Sequence, residues 1–169
     1  HFQNIDDISV ALILCNKENA GVFERAVRLG VENAHFTKDE LESDVLITLL
    51  KTHKIDLIVL AGFLLKVPSK LILAYPNRII NIHPALLPKY GGKGMYGTKV
   101  HQSVIDHNEE KSGITIHLVN EEYDKGKILF QAEVNIEQTD DAESLAQKIH
   151  LLEHSHFPKV VESYIRTLQ

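Results

Sequence analysis

Residues 78–90 read RIINIHPALLPKY, an apolar run that meets two hydrogen-bonding side chains and then stops at a proline. Side chains alternate faces along a strand, so Asn81 and His83 project from one side, roughly 7 Å apart at about 3.3 Å per residue. Pro84 holds His83 in extended backbone and cannot donate to a ladder, which ends the strand. Strand tips at the carboxyl edge of an α/β sheet are where such folds bind ligands. Asn81 and His83 are therefore candidate site residues, with a buried histidine and a turn-capping asparagine as the alternative.

Strand-like and helix-like segments alternate along the chain, which predicts one α/β domain over residues 1–169 with a mainly parallel, twisted sheet flanked by helices. Strands are predicted at 9–14, 56–61, 79–83, 114–119 and 128–134. The continuous apolar run 56–61 is typical of a strand covered on both faces. Helices are predicted at 21–29, at 39–51 after a capping box, at 64–74, at 98–107, and as one or two helices within 141–168.

Composition favours a cytoplasmic globular protein. The 169 residues suit one domain, and 44% hydrophobic residues are enough to bury a core. A net charge of −5, with dispersed basic residues, argues against nucleic-acid binding. The single cysteine, Cys15, sits at the end of an apolar run and is interpreted as a small core residue. No apolar stretch approaches the roughly 20 residues of a membrane helix, so no membrane association is expected.

Two downstream segments extend the motif at 81–90: residues 112–119 read SGITIHLV and residues 122–126 read EYDKG. Together the three segments resemble the folate-dependent formyltransferases, over about residues 10–164. The resemblance implies a formyltransferase-like fold and points to the branch that moves a formyl group from 10-formyltetrahydrofolate to the amine of glycinamide ribonucleotide in de novo purine biosynthesis. It also implies a monomer or homodimer acting on small molecules without a metal.

Formyl transfer passes through a tetrahedral intermediate with a developing oxyanion, and protons must leave the amine and reach the departing nitrogen. Asn81 can donate to the oxyanion, and His83 can donate or relay a proton. In the resembling enzymes an aspartate at the position of Asp124 orients the histidine and a water. Asp124 could instead only shape the turn before Gly126. His117 is expected near the site in a supporting role, or as an ordinary core histidine.

Substrate subsites follow from the resemblance. The folate pocket is expected to use two stretches of the chain, residues 63–67 and 119–124. The candidate contacts within them are Phe63, Leu64, Leu65, Val67, Val119, Asn120, Glu121 and Glu122. Leu65 stands where some relatives have arginine, so contacts there are expected to be mainly through the backbone. The second substrate is expected at Gly62, Leu64, Ile82 and Glu153, where Glu153 would receive the glycinamide end. An exposed helix glutamate is the alternative for Glu153.

The beginning of the chain is unusual for this resemblance. It starts at His1 without a methionine, and relatives open with a strand and a glycine-rich loop that supplies backbone N–H groups to the substrate phosphate. Nothing before Ile8 matches these elements, so the N-terminal portion is expected to be missing. The chain as given is therefore expected to bind folate far better than the ribonucleotide.

Two departures from the family pattern bear on the site. The loop at 91–97, GGKGMYG, is several residues longer than in the shorter relatives and could close over the site differently. His150, His154 and His156 invite a metal interpretation, since two of them lie one helical turn apart. They lack a cysteine or a clear third ligand, and formyl transfer needs no metal.

Other activities stay open within and outside the family. A methionyl-tRNA formyltransferase would carry a second, basic domain, and a formyltetrahydrofolate hydrolase normally carries an N-terminal regulatory domain. A folate-binding module without turnover is the alternative from a different class.

Overall fold

In a computed structural model, which describes residues 1–168, helices and strands alternate as the sequence predicts. Contacts divide the chain into two compact units, one formed by His1–Asp56 and the other beginning at Leu57. None of the described helices is long and apolar enough to cross a membrane.

The first unit contains a two-stranded parallel sheet and three helices. After a single 3-10 turn at Phe2–Asn4, the elements are β1 (Leu12–Cys15), α1 (Val22–Leu29), β2 (Glu32–His35), α2 (Lys38–Glu42) and α3 (Val45–Thr52). Helix α1 ends at Gly30, whose φ of 66° in the left-handed region favours glycine. The predicted capping box exists: Thr37 accepts from the Glu40 backbone, and the Glu40 carboxylate accepts from Thr37.

In the first unit one prediction is wrong and one strand was not predicted. The helix predicted at 39–51 is interrupted at Ser43, whose hydroxyl donates to the Glu40 carbonyl and accepts from Val45 N–H. These local bonds replace the intrahelical ones and end α2. Strand β2 was missed because its sequence, Glu-Asn-Ala-His, has no apolar pattern; its pairing with β1 makes it a strand.

The second unit contains a four-stranded sheet with the order β3-β4-β5-β6. Its elements are β3 (Ile58–Leu60), α4 (Ser69–Ala74), β4 (Ile79–His83), α5 (Thr98–Asp106), β5 (Lys111–Leu118), β6 (Ile128–Asn135) and α6 (Ala142–Arg166). Strands β3 and β4 are parallel, whereas the β4-β5 and β5-β6 pairs are antiparallel. The α/β class is confirmed, and the sheet is mixed where a mainly parallel one was predicted.

The core of this unit lies between the sheet and helices α5 and α6. Apolar side chains from β4 and β5 meet Val104 of α5 and Leu145 and Ile149 of α6 in one buried cluster. Each fully buried aliphatic side chain contributes about 1.5–3 kcal/mol. This packing holds the ends of β4 and β5 in place, and those ends carry the polar residues of the site.

Segment 56–67 departs from its prediction. Strand β3 covers only Ile58–Leu60 at one edge of the sheet, and Val59 is 44% exposed, so it is not covered on both faces. Helix α4 begins only after Pro68, which lies outside the helix in extended backbone. Residues 61–67, between β3 and Pro68, are therefore irregular.

Candidate active site

Strand β4 positions the two polar residues of the signature motif. In its antiparallel pairing with β5, Asn81 lies opposite His117 and His83 lies opposite Thr115. Asn81 is half-buried, and His83 is only 4% exposed. The intervening Ile82 belongs to the hydrophobic core, as alternation along a strand requires.

Both nitrogens of the His83 ring face acceptors. Nε2 lies 2.7 Å from the carbonyl oxygen of Tyr90, and because a carbonyl can only accept, Nε2 carries the hydrogen. Nδ1 lies 3.7 Å from Oδ2 of Asp124. Burial lowers the pKa of His83, while the Asp124 carboxylate and the Tyr90 carbonyl oppose that effect. A neutral ring therefore presents an unprotonated Nδ1, next to a carboxylate that stabilises it once it takes up a proton.

Asp124 is held in the turn between β5 and β6. Its backbone adopts a left-handed φ of 55°, and its Oδ2 accepts a hydrogen bond of 2.8 Å from Gly92 N–H. Partial burial pushes the pKa of Asp124 upward, but the contact with His117, the hydrogen bond from Gly92 N–H and the attraction to His83 when that ring is protonated outweigh this and lower it. Asp124 is therefore a carboxylate at neutral pH. It contacts both His83 and the loop that begins at Gly91.

His117 links the other members of the site. Its Nδ1 lies 2.8 Å from the Leu118 carbonyl oxygen, so this nitrogen donates. In the neutral ring Nε2 then accepts from Asn81 Nδ2 at 3.2 Å, and it lies 3.6 Å from Oδ1 of Asp124. His117 thus orients the Asn81 amide and leaves the second N–H of that amide for a ligand. His117 was interpreted either as a supporting residue of the site or as an ordinary core histidine, and these contacts match the supporting role.

A cleft opens beside this cluster and includes Asn81, His117 and Asp124 in its wall. Of the residues predicted for folate, those that line the cleft are Phe63, Leu65, Val67 and residues 119–122. Leu64 does not line it and is 46% exposed. Lys66 and Tyr123, which lie within the two predicted stretches, also line the cleft, and so does Leu60, which was not predicted.

The residues predicted for the second substrate are not part of this cleft. Gly62 has a left-handed φ of 66° just after β3, and Ile82 packs in the core. Glu153 is half-buried on α6, where burial raises its pKa against the opposing effect of His150 and His154. The roles assigned to these residues stay predictions.

Two main-chain groups of the site were missed by the sequence interpretation. The Tyr90 carbonyl and the Gly92 N–H hold His83 and Asp124, and both depend on backbone conformation rather than on side-chain type. Tyr90 has a left-handed φ of 57°, and no sequence pattern signals that. Among residues 1–168, no group of three histidine, cysteine, aspartate or glutamate side chains is arranged to hold a metal ion.

Comparison with known proteins identifies the family. Residues 2–161 match the family described as Formyl transferase. The chain belongs to the formyl transferase family. It is 42% identical over 158 residues to a chloroplastic phosphoribosylglycinamide formyltransferase of Arabidopsis thaliana, covering 90% of this chain and 54% of the relative. It is 35% identical over 164 residues to the phosphoribosylglycinamide formyltransferase of Bacillus subtilis, covering 94% and 82%. The chain thus spans about half the length of the plant relative.

Solved structures agree with the fold. The phosphoribosylglycinamide formyltransferase of Bacillus halodurans superposes with a TM-score of 0.86 at 32% identity, covering 96% of this chain and 84% of that one. A formyltetrahydrofolate deformylase from Pseudomonas syringae superposes with a TM-score of 0.82 at 21% identity, which shows a shared fold. The resemblance that the motifs indicated is confirmed, and so is the formyltransferase-like α/β fold.

Proposed function

We propose that this chain transfers the formyl group of 10-formyltetrahydrofolate to the amine of glycinamide ribonucleotide, a step of de novo purine biosynthesis. The observation that carries the proposal is the cluster of Asn81, His83, Asp124 and His117, of which Asn81, His117 and Asp124 line the wall of one cleft. The names of the plant and Bacillus relatives supply the substrate class.

The chemistry requires no nucleophilic residue, because the substrate amine attacks the formyl carbon itself. The new C–N bond forms, the carbonyl oxygen becomes an oxyanion, and the bond from that carbon to the folate nitrogen then breaks. The amine gives up a proton, and the departing nitrogen gains one. An amide donor and a group that takes and returns a proton are therefore sufficient.

Asn81 and His83 match these two tasks. His117 accepts one N–H of Asn81, so the other N–H is available for the oxyanion. Loss of one well-aimed donor of this kind raises the barrier by roughly 2.7–4 kcal/mol. His83 Nδ1 would take the amine proton and return it to the folate nitrogen, with the Asp124 carboxylate stabilising the imidazolium in between.

The cleft beside these groups is proposed to hold the folate ring. Phe63, Leu65 and Val67 supply apolar surface, and the irregular backbone at 119–122 offers C=O groups and the N–H groups of Asn120 and Glu121 for the ring's polar edge, since Val119 N–H donates to Ile79 and Glu122 N–H to Asn120. Glu153 is proposed to meet the ribonucleotide amine end. We also propose a cytoplasmic location and a monomer or homodimer; the Arabidopsis relative is named chloroplastic.

The test is an assay of tetrahydrofolate formation with and without glycinamide ribonucleotide. Formation that depends on the ribonucleotide is the expected result. Equal formation without it would make water the acceptor and the chain a hydrolase. Folate binding with no product under either condition would make it a binding module, and both of these results would overturn the proposal.

A further inference from the structure

The segment that follows β4 carries the carbonyl that holds His83, and it has no regular secondary structure. Residues 84–90 form neither helix nor strand, yet Ala85 is fully buried and Leu87 is 6% exposed. Buried backbone N–H and C=O groups are nearly always hydrogen-bonded in folded proteins. Partners for this backbone must therefore come from neighbouring elements.

Two side chains of the β5-β6 pair supply these partners. The Thr115 hydroxyl accepts from Leu87 N–H at 3.0 Å and donates to the Ala85 carbonyl at 2.7 Å. Gln131 Nε2 donates to the same hydroxyl at 2.8 Å and to the Leu87 carbonyl at 3.1 Å. A hydroxyl has one hydrogen and two acceptor lone pairs, so the Thr115 hydroxyl is fully used. We call these four bonds the Thr115–Gln131 clamp.

The strand register brings the two clamp residues together. Thr115 of β5 lies opposite Gln131 of β6 on one side and opposite His83 of β4 on the other. Thr115 is completely buried, whereas Gln131 is exposed. Neither residue lines the cleft. The clamp bonds therefore reach the site through the backbone of residues 84–90 and not by direct contact with a ligand in the cleft.

Leu87 lies between the clamp and the two groups proposed to manage the proton. Three residues later, the Tyr90 carbonyl accepts from His83 Nε2 at 2.7 Å. The side chain of Leu87 also lies against Gly91, where an added Cβ would overlap it. Gly91 begins the loop whose backbone N–H donates to the Asp124 carboxylate. A displacement of Leu87 would therefore alter the contacts of both His83 and Asp124.

We propose that Thr115 and Gln131 are positioning residues for formyl transfer, which hold residues 84–90 so that the Tyr90 carbonyl keeps the ring hydrogen of His83 on Nε2. Nδ1, which lies 3.7 Å from Asp124, is then the nitrogen left free for the amine proton. Loss of clamp bonds would let the ring hydrogen occupy either nitrogen. The role in catalysis rests on the proposed function, whereas the state of the His83 ring can be measured without it.

The position of the His83 ring hydrogen is measured without substrate. In the full chain labelled with ¹⁵N in its histidine rings, NMR at a pH where His83 is neutral distinguishes the nitrogen that carries hydrogen from the one that does not. We expect a single tautomer, with hydrogen on Nε2, in the unmodified chain. Gln131→Leu and Thr115→Val should each produce a mixture of tautomers. Thr115→Ser, which retains the hydroxyl, should keep the single tautomer, and so should Gln138→Leu, at an exposed glutamine in the turn after β6.

Steady-state kinetics measure the consequence for turnover. Gln131→Leu and Thr115→Val should lower kcat about 10- to 100-fold, because small displacements of a reacting group have effects of this size. KM for 10-formyltetrahydrofolate should stay nearly unchanged, since neither side chain lines the cleft. Thr115→Ser and Gln138→Leu should match the unmodified chain.

The tautomer comparison decides the proposal. A single Nε2–H tautomer in either folded variant would overturn the role of the residue replaced, even if activity or stability falls, because a merely structural role predicts that result. A mixture of tautomers in the unmodified chain would overturn it as well. Gln131 is exposed, so Gln131→Leu keeps the test decisive if Thr115→Val does not fold. If the unmodified chain transfers no formyl group, the proposed function fails, while the tautomers still show whether the clamp positions His83.

Discussion

His83 decides at which pH the site can take up a proton. Its ring is buried, which lowers its pKa below the ordinary 6.5, and the neighbouring carboxylate of Asp124 opposes that shift. The neutral form, which would accept the amine proton in the proposed reaction, therefore becomes dominant at a pH lower than 6.5.

The first prediction is that kcat/KM for formyl transfer rises with pH to a plateau whose midpoint lies below 6.5. In Asp124→Asn the carboxylate that raises the pKa of His83 is gone, so the midpoint should move to lower pH while the plateau falls. The measurement is the pH dependence of kcat/KM for both proteins. A midpoint that stays or moves upward in Asp124→Asn would show that Asp124 does not act on His83.

The second prediction concerns His83 alone. His83→Ala should lower turnover by a factor of about 10²–10⁴ and leave folate affinity nearly unchanged, because the ring acts on proton transfer in the transition state rather than on folate binding. His83 itself does not line the cleft. Steady-state kinetics and calorimetric titration with folate are the two measurements. His35→Ala, at an exposed histidine, is the control and should match the unmodified chain. Parallel losses of folate affinity and turnover would argue for a structural role.

The third prediction is a dependence of stability on pH. Burial lowers the pKa of His83 and of His101, so the unfolded chain takes up protons at these positions before the folded chain does. The free energy of unfolding should therefore fall as pH falls from 6.5 toward the lowered values, by at most about 1.4 kcal/mol per pH unit for each group. His53, whose pKa is raised by a hydrogen bond with Glu32, acts in the opposite direction.

Urea unfolding between about pH 5 and pH 7 measures this slope. His101→Gln should reduce the slope, because one of the two buried rings is removed. If the slope of His101→Gln equals that of the unmodified chain, His101 takes up its proton equally in both states.

At the scale of elements, the β5-β6 pair is closed by glycines that leave no room for a side chain. A Cβ at Gly126 would lie 1.7 Å from the carbonyl oxygen of Leu118, and one at Gly113 would lie 2.0 Å from that of Ala132. Both contacts are with backbone, which cannot rotate away. Gly113 therefore allows β5 and β6 to pack closely, and Gly126 allows the turn that carries Asp124 to pack closely against the end of β5.

The fourth prediction is that Gly126→Ala destabilises the protein by more than about 2 kcal/mol and reduces activity, because the turn carrying Asp124 must move. Gly21→Ala is the matched control: a Cβ there meets nothing within 4 Å and the backbone is right-handed, so the change should stay within about 0.5 kcal/mol. Denaturant unfolding measures both. A normal midpoint for Gly126→Ala would mean that the turn rearranges freely.

Elements with a clear residue pattern could be predicted from the sequence, and those decided by pairing could not. Strand β4 was predicted from its apolar run and Pro84, and α1 from its apolar face and Gly30. Strand β2 has the composition of a loop and is a strand only because β1 pairs with it. The interruption of the helix at Ser43 arises because the Ser43 hydroxyl hydrogen-bonds to the backbone of Glu40 and Val45 rather than to solvent, and the sequence does not reveal this.

The candidate site divides in the same way. Asn81, His83 and Asp124 were predicted because their side chains carry the chemistry and lie in recognisable motifs. Tyr90 acts through its carbonyl and Gly92 through its N–H. The directions of these groups depend on the conformation of the turn, which the residue types there do not specify. Leu64 lies outside the cleft in an irregular segment, and in such a segment residue spacing does not predict which side chains face a pocket.

At the scale of the whole molecule, the mixed sheet explains how the site is assembled. The antiparallel pairing of β4 with β5 brings His117 opposite Asn81. The turn after β5 then places Asp124 in contact with His83 and His117. A parallel crossover at this point would place a helix between the two strands instead. The proposed mechanism has one central consequence: the formyl group passes directly to an amine, without a covalent enzyme intermediate.

The destination of a labelled formyl group tests that claim most directly. The chain is mixed with 10-formyltetrahydrofolate labelled in the formyl carbon and with glycinamide ribonucleotide, and the label is located by chromatography or ¹³C NMR. The account predicts that the label appears as a formamide on the ribonucleotide, in amounts equal to the tetrahydrofolate released. Label recovered as free formate, or bound to the protein, would contradict it.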